Sequence, residues 1–439
     1  MKKSLKRMSN KLVAETLIQN IGTLMTPIGK GPKHGKAMQE VRTIHKAFIA
    51  IKAGRILAYG EGSGEAYLGE DTILVDGSGQ LALPGFVDSH THLVHAGSRE
   101  HEFAKKQAGV PYMDILKAGG GIHSTVVATR AASSEALAVQ AQRSLDKMLS
   151  YGVTTVEAKS GYGLTLETEL KQLEVAKHLS TTQPIRIVST FMGAHAVPKD
   201  YAGGAAAHAA EVVGMLPEVK ARGLATFVDI FCEAGVYGVD EARMVLEAAQ
   251  KQGFKLKIHA DEIVALGGVP LAVELGAHSA DHLMALDDEG LKALSQARTV
   301  GVLLPGTSFY LGHDYAPARQ MIEHDIAVAI ASDYNPGSCP SENFGFTLNL
   351  AAIKLKMSPE EILTAATLNA AEALDLGAVI GSLEVGKQAD VILCDVPNFS
   401  YMLYHFATQH VSSVFIAGKP VMQGGKMIHN KERDAHETR

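Results

Sequence analysis

The chain has 439 residues, of which 46% are apolar and 20% are charged, so it can bury a well-filled core and is not a disordered chain. Its formal net charge of −6 argues against a nucleic-acid binder that depends on a basic surface. The length predicts more than one domain, because single cores stop growing at roughly 250–300 residues.

Localisation signals in the sequence favour the cytoplasm. No apolar run approaches the roughly 18–20 residues that a membrane helix needs. The basic start, MKKSLKRMSNK, is not followed by an apolar segment and is predicted to be a solvated tail, not a secretory signal. Cys232, Cys339 and Cys394 are few, odd in number and far apart, which is typical of a reducing compartment.

The segments at the two ends of the chain share a β-rich pattern. Residues 47–84 contain the short β-like segments AFIAIK, RILAYG and TILVDGSGQLAL, separated by glycine turns, and residues 381–429 repeat the pattern. Neither segment is long enough for a core of its own. We therefore predict one small β-sandwich domain built from residues 1–84 and 379–439.

Between these ends, residues 85–378 alternate short apolar runs with helical patterns such as 166–179 and 239–253. Most of the runs are rich in Val, Ile, Leu or Phe without strict alternation, as in strands buried on both faces. Eight such units predict an α/β fold, a (β/α)8 TIM barrel whose long first connection, about 94–153, is an insertion. The predicted strands are 86–93, 154–160, 185–195, 227–235, 256–262, 278–283, 300–306 and 326–333.

The histidine content, 19 residues, is unusually high, and a few of these histidines fall at the ends of predicted strands. His90 and His92 are two residues apart, so their side chains point to the same side of the first strand. His259, His282 and Asp333 end the fifth, sixth and eighth strands, at the end of a TIM barrel where active sites are built. Imidazoles and one carboxylate can hold a divalent cation, so the pattern predicts a metal site.

Glu262 follows His259 by three residues and can reach a metal-bound water without being a ligand. The alternative without a catalytic role is a glutamate at a helix start or on the surface. Beside the predicted metal site we favour the catalytic role.

These residues and their motifs resemble the amidohydrolase superfamily and, within it, the imidazolonepropionase family. The resemblance covers residues from about 45 to 425, and Ser89 stands where the superfamily often has proline. The family motifs occur in order along the chain as PGFVDSHTHLVHAGSRE, GGGIHSTVVATRAAS, MLSYGVTTVEAKSGYGL, STFMGAHAVP, KIHADEI, SADHL, LLPGTSFYLG and ASDYNPGS.

The resemblance implies hydrolysis of the ring C–N bond, a cyclic amide, of 4-imidazolone-5-propanoate to N-formimino-L-glutamate, a step of histidine degradation. A metal-activated water would attack the ring carbonyl. The implied cofactor is one divalent ion per subunit, Zn or Fe. The fourth strand has no lysine for a two-metal bridge, and Lys159 lies on the second strand, so the sequence also favours one ion. A homodimer is expected from the superfamily.

The predicted site has three groups of residues. The metal ligands are His90, His92, His259 and Asp333. The catalytic residues are Glu262, His282 and Asp333, and which of these three first accepts the proton from water is left open. Arg99 is predicted to bind the propionate through parallel hydrogen bonds, its bland alternative being a surface pair with Glu100 or Glu102. The full set of predicted substrate contacts is Arg99, Tyr112, Tyr162, His195, Glu262, Asn335, Gly337 and Ser338.

Two other functions fit parts of the same pattern. A one-metal aminohydrolase that deaminates another N-heterocycle would also use H-x-x-E on the fifth strand and a histidine on the sixth. A binding protein on the same scaffold that has lost catalysis usually lacks metal ligands, whereas all are present here. We expect no nucleic-acid or membrane partner.

Overall fold

The structure, a computed structural model, describes residues 12–109, 120–199 and 201–428, and it begins with five strands that belong to one sheet. The first of them was missed by the sequence prediction, which placed the first β-like segment at residue 47. Asn20, with a φ of 60°, and Gly22 interrupt its apolar pattern, and its pairing shifts register between Ile18 and Ile21. The strands are β1 (Thr16–Pro27), β2 (Val41–Lys52), β3 (Arg55–Glu61), β4 (Ile73–Asp76) and β5 (Leu81–Pro84).

The middle of the chain forms an eight-stranded parallel barrel, so the predicted fold class is confirmed. Its ends meet where the backbone N–H of Asp333 donates to His90 O at 3.0 Å and that of His92 donates to Tyr334 O at 2.9 Å. This seam joins the first and last barrel strands. The strands are β6 (Phe86–Asp88), β7 (Val153–Lys159), β8 (Arg186–Ala194), β9 (Phe227–Cys232), β10 (Lys255–Ala260), β11 (Ser279–His282), β12 (Val300–Leu303) and β13 (Val328–Ile330).

Helices surround the barrel and fill the long connection between β6 and β7. In that connection, the Ser133 hydroxyl accepts a hydrogen bond from the N–H of Ala136 and caps a helix whose apolar face, including Leu137 and Leu145, is buried in the main core. The helices up to β9 are α1 (Glu100–Gln107), α2 (Ile122–Ala131), α3 (Ser134–Ser150), α4 (Leu166–Thr182) and α5 (Gly204–Ala221). Those that follow are α6 (Val239–Lys251), α7 (Gly268–Glu274), α8 (Asp288–Ser295), α9 (Pro305–Leu311), α10 (Ala318–Glu323), α11 (Phe344–Ile353), α12 (Pro359–Ala366), α13 (Leu368–Ala373) and α14 (Phe399–Tyr404).

Four strands from the end of the chain complete the first sheet, so both ends of the chain build it, as predicted. They are β14 (Val391–Cys394), β15 (Val411–Ile416), β16 (Lys419–Gln423) and β17 (Lys426–Met427). The nine strands run in the order β17-β16-β15-β14-β5-β1-β2-β3, with β4 paired to β1. The antiparallel pair β5–β14 joins the two ends, and Leu24, Ile49, Val391 and Phe415 lie in their shared core.

The passage from this sheet to the barrel takes place between Pro84 and Phe86, beside the predicted domain boundary at 84/85. The positions of the domain boundaries themselves stay a prediction. In the described parts of the chain, no helix has both the length and the apolar composition needed to cross a membrane.

Candidate active site and metal centre

Five predicted residues meet at the end of the barrel where the parallel strands finish. His259 and His282 lie on β10 and β11, His90 and His92 follow β6 directly, and Asp333 follows β13 across the seam. All five side chains are buried, with at most 3% of their surface exposed. The structure therefore brings the predicted metal ligands and His282 together.

Distances within the cluster are short enough for these side chains to bind one metal ion together. The ring centre of His259 lies 4.5 Å from that of His90 and 5.0 Å from that of His282. One nitrogen each of His90, His92 and His259 lie within 4.8 Å of one another. Asp333 Oδ1 lies 3.5 Å from His90 Nε2 and 3.9 Å from His92 Nε2. The five side chains thus surround one small space.

The cluster also leaves polar atoms unpaired. Each of the four histidines of the cluster has a buried ring nitrogen without a hydrogen-bond partner in the described residues: His90 Nε2, His92 Nδ1, and both nitrogens of His259 and His282. Burial lowers the pKa of each of these histidines well below its ordinary value. A buried polar group without a partner is costly, and a neutral imidazole is a good metal ligand. The residues therefore fit a divalent cation.

The backbone at the ends of two strands adopts conformations that non-glycine residues rarely adopt. His282 has a φ of 83°, its neighbour Leu283 has 62°, and Asp333 has 55°. Such conformations cost about 1–3 kcal/mol each and persist only where the surroundings impose them. Here they coincide with side chains that belong to the site.

Asp333 presents only one of its two oxygens to the histidines. Its Oδ2 accepts hydrogen bonds from Thr307 Oγ1 at 2.6 Å and from Ser338 Oγ at 3.1 Å. Burial raises the pKa of this carboxyl to about 6, and these hydrogen bonds partly oppose the rise. Thr307, at the start of α9, was not singled out from the sequence. It fixes the carboxylate so that Oδ1 faces the cluster.

Glu262 lies next to the cluster. Its Oε2 is 3.5 Å from His282 Nδ1. Burial raises the pKa of Glu262 to about 8, and the charges of Asp333 and Glu233 add to the rise. Glu233, just after β9, also holds the loop that carries Glu262, because its Oε2 accepts from the backbone N–H of Ile263 at 2.8 Å.

A level of charged side chains fills the barrel interior beneath the histidines. We name it the buried charge layer, and its members are Glu157, Lys159, Asp229, Lys257 and Asp281, each no more than 1% exposed. Lys159 Nζ lies 2.6 Å from Asp229 Oδ2 and 3.0 Å from Glu157 Oε2. Although burial opposes its charge, these carboxylates and Asp281 raise the pKa of Lys159 above its ordinary value.

Arg99 points one side of its guanidinium at Glu102 and the other at the turn after Asp333. Its Nε and Nη2 donate to Glu102 Oε2 at 3.1 and 3.0 Å. A Cβ placed on Gly337 would lie 2.1 Å from Arg99 Nη1, so the missing side chain at 337 makes room for the guanidinium. The predicted alternative pair with Glu102 exists, and it engages only one side of Arg99.

Tyr162 and His195 lie beside the metal cluster. The ring of His195 is stacked on that of His92 with centres 4.6 Å apart, and Tyr162 lies 5.5 Å from His92. Burial and the charge of Asp333 raise the pKa of Tyr162 above its ordinary range, and the Arg99 guanidinium opposes this rise.

The turn at 335–338 is held by its own side chains. Asn335 Oδ1 accepts from the backbone N–H groups of Gly337 and Ser338 at 2.7 and 2.8 Å, and Asn335 Nδ2 donates to Asp333 O and Ser338 Oγ, both at 2.7 Å. The amide of Asn335 is fully used within the protein, so its direct contact with substrate stays a prediction. Tyr112, the remaining predicted contact, lies outside the described residues.

Sequence reasoning missed most of the buried charge layer, although the pattern holds a signal for it. Glu157 and Lys159 are two apart on β7, and Lys257 is two before His259 on β10. Alternate residues of a strand point to the same side, so an ionisable residue two positions before a predicted ligand faces the barrel interior. Thr307 and Glu233 have no such signal, because they reach the site through loops.

Comparison with known proteins identifies the family. Residues 81–421 match the family described as Amidohydrolase family. An imidazolonepropionase of Alkaliphilus oremlandii is 52% identical over 94% of this chain and 99% of its own. One of Streptococcus sanguinis is 49% identical over 95% and 100%. The chain belongs to the imidazolonepropionase family of amidohydrolases. It is therefore a hydrolase, as its motifs predicted.

Solved structures with the same fold are more distant in sequence. An adenosine deaminase from Xanthomonas campestris with bound zinc superposes with a TM-score of 0.71 at 20% identity and covers 97% of this chain and 96% of its own. An atrazine chlorohydrolase from Arthrobacter aurescens complexed with zinc gives 0.69 at 18%, covering 96% and 99%. These similarities establish the fold that the imidazolonepropionase family shares with other hydrolases.

Proposed function

We propose that the chain hydrolyses the ring C–N bond of 4-imidazolone-5-propanoate to N-formimino-L-glutamate, a step of histidine degradation. The observation that supports the proposal is the buried cluster of His90, His92, His259 and Asp333, whose ring nitrogens are largely unpaired and which has Glu262 beside it. The identity of about 50% to imidazolonepropionases over nearly the whole chain supports the choice of substrate.

We propose one divalent cation per subunit, Zn or Fe, held by those three histidines and Asp333. When bound, the cation lowers the pKa of a water and polarises the substrate carbonyl. A single ion is supported by β9, which has no lysine, and by Lys159, whose amine is committed to three carboxylates in the buried charge layer. Nitrogen and oxygen ligands accept both metals.

The proton from the attacking water goes to Glu262 in this scheme. Asp333 is the weaker acceptor, because Thr307 and Ser338 already donate to its Oδ2 and its Oδ1 faces the ligand histidines. Glu262 accepts this proton in its ionised form. Burial raises its pKa to about 8, so the carboxyl group then keeps the proton until a basic leaving group takes it. Glu262 then delivers this proton to the ring nitrogen that leaves.

His282 would stabilise the charge that develops on the carbonyl oxygen. Its ring lies 5.3 Å from that of His90 and its Nδ1 is 3.5 Å from Glu262 Oε2, so it is close to both the ligand cluster and the proton carrier. A donor held in place by the protein stabilises an oxyanion better than water does, because it needs no reorganisation during the reaction.

Substrate binding is assigned to the neighbouring polar groups. Arg99 would take the propionate through the side of its guanidinium that faces Gly337. Tyr162 and His195 would contact ring atoms, since they lie next to His92. Glu262, Asn335, Gly337 and Ser338 complete the proposed contacts.

The deciding experiment separates ring opening from deamination. Purified chain loaded with Zn or Fe is given fresh 4-imidazolone-5-propanoate, and the loss of substrate absorbance and the release of ammonia are measured on the same sample. We expect loss of absorbance, formation of N-formimino-L-glutamate and no ammonia. One ammonia per turnover would favour the alternative aminohydrolase, and an inert metal-loaded protein would favour the scaffold without catalysis.

We also propose a homodimer in the cytoplasm. Three aromatic side chains on α14 and just after it are exposed, Tyr401 at 41%, Tyr404 at 79% and Phe406 at 63%, and a subunit contact would cover them. Cys232, Cys339 and Cys394 are free and buried, as is common in a reducing compartment. Sedimentation of the wild-type chain and of Tyr404→Ser measures the dimer directly.

A further inference from the structure

The buried charge layer is an unusual filling for a barrel of this kind. Branched apolar side chains normally fill a TIM barrel, whereas here three carboxylates and two lysines occupy one level. Removing charges from water is expensive, and an ion pair recovers the cost only with good geometry and further hydrogen bonds. A layer of five such groups therefore calls for a function that apolar residues would not serve.

Two of the three carboxylates point at ligand histidines. Asp281 Oδ2 lies 2.7 Å from His90 Nδ1 in a hydrogen bond. Asp229 Oδ2 lies 3.1 Å from His259 Nδ1 without the alignment of a hydrogen bond, and its Oδ1 accepts from the backbone N–H of His259 at 3.1 Å. Each of these histidines therefore has a carboxylate beneath it.

This arrangement selects one form of each imidazole. A carboxylate only accepts hydrogen bonds, so a neutral ring beside it carries its proton on Nδ1 and leaves the lone pair on Nε2 free. The Nε2 atoms of His90 and His259 are buried, and neither has a hydrogen-bond partner in the described chain. The free lone pairs thus belong to the atoms that would bind the cation.

The lysines hold these carboxylates in place. Lys159 Nζ lies 2.6 Å from Asp229 Oδ2 and 3.5 Å from Asp281 Oδ2, so it links the two. Lys257 Nζ also lies 3.5 Å from Asp281 Oδ2 and donates to the carbonyl of Ser89, the residue before His90, at 2.8 Å. These contacts hold both carboxylates beneath the two histidines.

We propose that Asp281 and Asp229, held by the two lysines, are positioning residues that fix the orientation and the Nδ1–H form of His90 and His259 before the metal binds. The inference rests on the proposed function, since it concerns the cation that these histidines are proposed to hold. It assigns the charge layer a role in metal affinity that is separate from its contribution to folding.

The test compares two variants that remove one negative charge from the same layer. In metal-free protein, the zinc dissociation constant is measured by competition with a chelator for wild type, Asp281→Asn and Glu157→Gln. Glu157 accepts from Thr190 Oγ1 at 2.5 Å and pairs with both lysines, and no ligand histidine is among its hydrogen-bond partners in the described residues. It is thus a matched control.

We expect Asp281→Asn to bind zinc about 10- to 100-fold more weakly than wild type, the usual effect of losing such a partner, and Glu157→Gln to bind within about threefold of it. Equal affinity of Asp281→Asn and wild type, or an equal loss in Glu157→Gln, would overturn the proposal. Wild type that binds no zinc, iron or other divalent ion would instead contradict the proposed function.

A second measurement covers the case in which Asp281→Asn does not fold, as judged by circular dichroism. Metal-free wild type labelled with ¹⁵N in its histidines reports which ring nitrogen carries the proton, and a His90→Gln sample identifies the signal of His90. A proton on Nδ1 is expected, and a proton on Nε2 would overturn the proposal.

Discussion

The two sides of the site are built differently. The metal side, which consists of His90, His92, His259, His282 and Asp333, lies on strand ends and on the segments directly after them, and its ring nitrogens are largely unpaired. The substrate side, which consists of Arg99, Tyr162, His195 and residues 335–338, lies mainly on connections beyond the strand ends. There the polar groups already have partners in the protein, such as Glu102 for Arg99 and Gly161 O for His195.

This difference indicates which interactions each side contributes. Unpaired buried nitrogens on rigid strand ends are suited to a ligand of fixed geometry, a metal ion. The side chains of the substrate side already make hydrogen bonds within the protein, and these bonds hold their positions without a ligand. Only the atoms that are not used in this way can bind the substrate. Substitutions on the metal side should therefore abolish hydrolysis, and substitutions on the substrate side should mainly change the affinity for substrate.

The largest effect is expected for His259→Ala. This change removes one proposed ligand from the centre of the cluster, so the protein should lose both bound metal and hydrolysis. Bound metal is measured by elemental analysis and hydrolysis by loss of substrate absorbance on the same preparation.

The matched control is His195→Ala on the substrate side, because His195 is stacked on His92 at 4.6 Å yet is not a proposed ligand. It should retain its metal. The comparison between the two sides fails if His195→Ala loses metal to the same extent as His259→Ala.

Glu262→Gln should have the next largest effect. The amide keeps the size of the side chain but cannot carry the proton, so we expect full metal content, a kcat lower by about 10²- to 10⁴-fold and little change in KM. Steady-state kinetics and metal content are measured together. A kcat near that of wild type would show that another group moves the proton.

The metal side was the more predictable part of the molecule. His90 and His92 lie on one side of a strand, and the ends of parallel barrel strands meet at one rim. The spacing of these residues on the predicted strands was therefore enough to predict that the proposed ligands lie close together. The barrel strands were predictable for a related reason, since buried apolar runs such as β9 and β13 contrast with the helical patterns between them.

The remainder depends on contacts that no short pattern encodes. Thr307 reaches Asp333 from α9, and Glu233 reaches the loop of Glu262 from the connection after β9, so only the folded chain reveals their roles. The link between β5 and β14 joins residues more than 300 positions apart. Strand β1 was missed because Asn20 and the bulge beside it interrupt its apolar pattern.

The smallest of the three effects is expected for Arg99→Ala on the substrate side. A hydrogen-bonded pair of charged groups contributes about 1.5–3 kcal/mol, so its loss should raise KM by roughly 10- to 100-fold. The kcat should change by only a few fold, because the propionate is bound equally in the ground state and the transition state. Arg99→Lys should recover part of the affinity, since an ammonium keeps the charge and loses the paired hydrogen bonds.

Gly337→Ala is an independent check, because its methyl group would collide with Arg99 Nη1 and should raise KM without removing the charge. If KM for the propionate substrate moves in neither Arg99→Ala nor Gly337→Ala, then Arg99 serves only Glu102, and the substrate side needs a different anchor for the carboxylate.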